Sequence, residues 1–158
     1  MKEKTTLVKE LIFLLEKGNA HASFEAAVAG VPQELLTVIP ENLPYSIWQL
    51  TEHIRITQWD IVEFCISDKH KSPKWPDEYW PSASDAVSKK DWEHCLMEVK
   101  KDRDRFIELL KDDTNDLLKP LAHGDGQTLL REALLIADHT AYHLGEILVL
   151  RRLLHCWK

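Results

Sequence analysis

The stretch from Leu129 to Leu154 constrains the fold more than any other part of the chain. It is apolar on nearly every side of a 3.6-residue helical period. A helix of that kind has to be covered by its neighbours, so it is expected to be the central and most buried helix. Thr128, just after the turn His123-Gly124-Asp125-Gly126, is its candidate N-cap. Three further segments carry the same period. The first runs from about Thr6 to Ala29, with Leu7, Leu11, Leu14 and Leu15, then Gly18, Ala22 and Ala26, on one spacing; Gly30, Val31 and Pro32 end it. The second starts at Ser46, where Gln49 three residues later completes a capping box. Its stripe is Ile47, Leu50, Ile54, Thr57, Ile61 and Phe64, and it ends near Ser67. The third begins at about Ser88 and shows a narrow stripe of Trp92, Cys95, Leu96, Val99, Phe106 and Leu110 among many charges, so its other side faces water.

No segment alternates as a strand would. The expected fold is all-α, a four-helix bundle formed by a single domain over residues 1–158. The connection from about Asp68 to Val87 is long for a bundle and holds Pro73, Trp75, Pro76, Tyr79, Trp80 and Pro81. A crossover between helices two and three would account for its length. Trp75 and Trp80 are candidates for closing over a ligand, whereas Trp48, Trp59 and Trp92 fall on or beside helix stripes and read as packing.

Composition narrows the function classes. A chain of 158 residues can bury a core without staples, so a metal would serve chemistry. The net charge is -6 and no basic block occurs, which disfavours nucleic acid as a partner. Lys9 and Glu10 interrupt the first apolar run, and no stretch approaches 18 uncharged apolar residues. A cytoplasmic protein with no membrane partner is expected. Cys65, Cys95 and Cys156 are odd in number and form no CxxC pair, which fits reduced thiols.

Histidine is over-represented, with eight residues. His139 and His143 stand one turn apart on the stripe Ile136, Ile147 and Leu150 of an otherwise apolar helix. His53 lies between Leu50 and Ile54 on the second helix and points inward as well. A buried neutral imidazole needs partners for both ring nitrogens, and few polar residues are near. Three such nitrogens would bind a divalent metal, Zn²⁺ or Ni²⁺, and leave a coordination position open. The competing reading is that these are satisfied core or surface histidines. Asp138 and Glu146, which flank the pair, and Gln49, one turn before His53, are candidates to orient the ligands; Glu146, one turn past His143, is also a candidate acid or base. His123 is a candidate for a pocket mouth. His21 reads as satisfied or exposed, and His70, His94 and His155 as surface residues. There is no HExxH, no repeated Glu-x-x-His, no GxSxG, no P-loop and no GxGxxG. No nucleophile of the protein's own is evident, so catalytic residues beyond the ligands are unassigned, and water or an external thiol suits the site.

The segments SIWQLTEHIRITQWDIVEF and GDGQTLLREALLIADHTAYHLGEILVLRRLL resemble the DinB/YfiT superfamily of small bacterial proteins, and the order of elements is similar along essentially the whole chain. His53 on helix two and the HxxxH of His139 and His143 match that family's metal motif. The resemblance implies an up-down-down-up bundle with a long crossover. It implies nickel or zinc held by three histidines with water completing the shell, and a homodimer. It also implies kinship with transferases and isomerases that use low-molecular-weight thiols on small-molecule substrates. Two readings follow. One is a metal-dependent transferase or hydrolase; the other is a non-catalytic metal-binding or interaction module.

Overall fold

The computed structural model describes residues 2–83 and 86–157; Ser84 and Asp85, which fall in the long connection, and both terminal residues lie outside the description. Five α-helices form among the described residues: α1 Lys2–Lys17, α2 Phe24–Val28, α3 Ile47–Ile66, α4 Lys89–Lys111 and α5 Leu129–Leu153. No strand occurs among the described residues, so the protein is all-α. α3 packs against both α4 and α5, α1 lies against α5 and α4, and α2 closes on α5.

The helix starts follow from their caps. Ser46 and Gln49 form the reciprocal capping box of α3, and Ser88 and Asp91 form that of α4. Thr128 accepts from the Arg131 amide at the start of α5. The first segment differs from the expected single helix over 6–29. Gly18 and Asn19 both take positive φ, and the Gly18 amide returns to the Leu14 carbonyl at 3.1 Å. This is a left-handed helix stop. A Cβ at Gly18 would also lie 2.5 Å from the His21 ring. The chain restarts at Ser23, whose hydroxyl caps α2.

Two apolar clusters fill the interior. One joins Leu36, Ile47, Leu50 and Ile54 to Trp92, Cys95 and Val99 of α4 and to Leu144, Ile147 and Leu150 of α5. The other joins Ile61, Val62 and Cys65 to Phe106 and Leu110, with Leu129, Ala133 and Ile136. The start of α3 therefore shares a core with the start of α4 and the end of α5. α5 is not the most buried helix, contrary to expectation. Leu134, Tyr142, Val149 and Leu153 are exposed on it, while α3 buries more of its length. α5 is long and apolar enough to cross a membrane by length and composition, a property its sequence had not suggested. It packs against α1, α2 and α3, and 33% of its apolar window is buried.

Candidate metal centre

α3 and α5 meet where His53 faces His139 and His143. One ring nitrogen from each of the three histidines lies within 4.8 Å of the other two. His53 and His143 are buried and His139 is half-buried. The i, i+4 spacing on α5 puts its two rings 4.5 Å apart between centroids, and the His53 ring lies 4.9 and 4.8 Å from them.

The hydrogen bonds decide which nitrogens are free. His53 Nδ1 is 2.9 Å from the Tyr79 carbonyl, which can only accept, so Nδ1 carries the proton and Nε2 a lone pair. His143 Nδ1 is 2.7 Å from a Glu146 carboxylate oxygen, which fixes the same tautomer there. His139 Nε2 then approaches His53 Nε2 at 3.1 Å. Two lone pairs cannot share that distance, so in the protein alone a single proton has to sit between them. A divalent cation would satisfy both nitrogens and the His143 Nε2 as well, and the donor set therefore fits one. Burial drives the His139 pKa down to about 3, with help from His143 and His53. Burial also lowers that of His53, against the Tyr79 carbonyl, which raises it. His53 and His139 are thereby held in the neutral form a metal requires.

The long connection builds the rest. The Trp80 ring stacks on His53 at 3.7 Å and 7°, and Tyr45 stacks on the other face of Trp80 at 4.1 Å. Tyr79 donates its hydroxyl to Asp60 at 2.5 Å, and His70 meets the other oxygen of that carboxylate at 2.7 Å. Asp60 thus ties the connection to α3 two turns beyond His53 and sets the carbonyl that orients it. A cavity of about 580 Å³ opens over the histidines, lined by Tyr45, Trp75, Trp80, Tyr142, Asp138 and Glu146 among others.

Several sequence expectations are placed differently. Glu146 does touch a histidine, as expected. Gln49 does not; it completes the α3 cap and holds the Pro81 carbonyl at 3.2 Å. His123 bonds the Phe64 carbonyl at the far end of α3 and does not line the cavity. His70, read as a surface residue, has a largely buried ring held by Asp60. His94 and His155 are exposed, as expected. Trp75 and Trp80 both line the cavity. The Tyr79 carbonyl was missed, because a backbone acceptor leaves no signature in side-chain identity. Cys65 and Cys95 are buried, and burial pushes the Cys65 thiol up to about 12. Neither thiol is a ready nucleophile.

Residues 19–147 match the family model described as the DinB superfamily. No curated protein and no solved structure matches the chain.

Proposed function

The chain belongs to the DinB superfamily, and on that premise we propose that it is a divalent-metal-dependent enzyme, a transferase or hydrolase acting on a small molecule. His53, His139 and His143 would hold the metal, zinc or nickel by the preference of imidazole donors. The observation that carries the reading is the meeting of three imidazoles at the floor of a cavity, with no fourth His, Cys, Asp or Glu joining the group among the described residues. A site with three protein ligands keeps a position for water or substrate, whereas structural sites are closed.

When bound, such a metal supplies a Lewis acid that brings the pKa of a coordinated water or thiol towards neutrality. The chain's own residues do the rest. Tyr79 and Glu146 hold the His53 and His143 rings in the ligating tautomer. Trp80 and Tyr45 keep water from one face of His53. Glu146 also lines the cavity, where its carboxylate can take or return a proton. A low-molecular-weight thiol as the nucleophile is part of the proposal, as is a cytoplasmic homodimer. The exposed Val149 beside Leu43, with Leu153 also exposed one turn further on, supports a self-contact on α5.

The non-catalytic reading predicts the same metal but no turnover. The deciding experiment is elemental analysis of tag-free protein alongside His139→Ala. About one zinc or nickel per chain, lost in the variant, supports the site. A hydrolase and thiol-transfer screen then separates the two readings. No stoichiometric metal after reconstitution would overturn the enzyme reading and the metal-binding form of the alternative, leaving an interaction module.

A further inference from the structure

The walls of the histidine cavity carry an unusual charge balance. Among the described residues that line it there is no lysine and no arginine. Its acidic groups are Asp138 and Glu146. Glu146 is engaged with His143. Asp138 is exposed on the rim, and no hydrogen bond or ion pair reaches it among the described residues. The rim also holds the two most exposed aromatic side chains described, Trp75 at 69% and Tyr142 at 67%. Trp75 is held edge-on by Tyr79 at 5.4 Å, and Tyr142 by His143 at 4.9 Å, so both rings are steadied although they are open to solvent.

We propose that this cavity takes a small organic cation: a molecule with a positively charged nitrogen beside an aromatic or branched apolar body, seated between Trp75, Tyr142 and Asp138. The inference rests on the metal reading above and names its substrate class. Ring faces attract a cation through their quadrupole, and an unpaired carboxylate beside them adds direct charge attraction. The histidine cluster lies at the floor and these groups lie at the rim. The ligand's charged end is thus kept apart from the metal, and an uncharged donor or electrophilic group can reach inward. A carboxylate or phosphate at the rim would face Asp138 with no basic side chain to pair with. Anionic thiols are therefore poor fits, and a neutral or amine-bearing nucleophile, or water, fits better.

Three probes of similar size test this on the full chain, metal-free and zinc-loaded: benzyltrimethylammonium, benzyl alcohol and benzenesulfonate. Binding is read by calorimetry and by quenching of tryptophan emission, with zinc content measured on the same samples. The ammonium is expected to bind at least about fivefold more tightly than the alcohol, with the sulfonate weakest. Asp138→Asn should remove most of that preference while leaving zinc content unchanged, and Trp75→Ala should weaken the ammonium and the alcohol together. Equal or tighter binding of the sulfonate, or a preference unchanged in Asp138→Asn, would overturn the proposal. So would an oligomer in solution that dissociates on Trp75→Ala and shows no quenching, since the rim would then be covered by a second copy. If zinc is not retained but the ammonium preference and its Asp138 dependence persist, the ligand class stands and the metal reading falls.

Discussion

Two cavities of the same volume flank α5, and they teach different things. The one over the histidines measures about 580 Å³, and so does one on the α1 side lined by Leu14, His21, Gln58, Arg103, Arg131 and Thr140. Leu135 and Asp138 border both. On the α1 side the basic and amide groups are already engaged. Arg103 pairs with Glu25, Arg131 with Glu132, Gln58 donates to the Val99 carbonyl and His21 bonds the Ala22 carbonyl, although the buried Arg103 Nε has no partner. On the histidine side three imidazoles face one another with more lone pairs than protons. Volume does not separate the two; unfinished hydrogen bonding does.

The contrast can be broken by mutation on either side. The largest effect is expected from His139→Ala, which should abolish stoichiometric zinc or nickel binding in elemental analysis. Arg103→Met, across the helix, should leave metal content intact and only lower the thermal midpoint, by several degrees. Retained metal in the first variant, or lost metal in the second, would reverse the assignment of the cavities. Next come the groups that orient the ligands. Glu146→Ala removes the acceptor on His143 and should weaken metal affinity about 10- to 100-fold in a chelator competition, with little change in folding.

A smaller effect, with a definite sign, concerns acid. Folded His139 titrates at about 3, whereas an unperturbed histidine does so at 6.5. Between those values the unfolded chain binds a proton that the folded chain refuses. The stability that depends on neutral His139 is therefore complete above about 6.5 and declines as pH falls towards 3. Thermal unfolding of metal-free protein against pH should show that decline, and His139→Ala should flatten it. The smallest change is expected from Gln49→Ala, which should cost about 1 kcal/mol of stability through the α3 cap and leave metal affinity within about twofold. A larger loss of affinity would show that its bond to Pro81 steadies the stacked Trp80.

Much of this was legible in the sequence for physical reasons. The starts of α3, α4 and α5 follow from Ser46, Ser88 and Thr128, because a cap is a local bond between near neighbours. The histidine pair on α5 was legible because four residues make one turn. The break at Gly18 was hidden behind continued small residues that mimic a helical stripe. The exposure of Leu134, Tyr142 and Val149 was hidden because apolar content says nothing about how many neighbours exist to cover it. The partners of Gln49 and His123 belong to distant segments, the Pro81 and Phe64 carbonyls, and no spacing rule reaches them.

The stack of Tyr45, Trp80 and His53, together with the Tyr79 carbonyl, has an engineering consequence. Two adjacent residues of one connecting segment supply both the ring that covers His53 and the acceptor that orients it. The ligands themselves stand on two packed helices. The segment is therefore an exchangeable cassette. Grafting a different connection between α3 and α4 would retune one ligand's basicity and shielding while the scaffold that presents all three stays as it is.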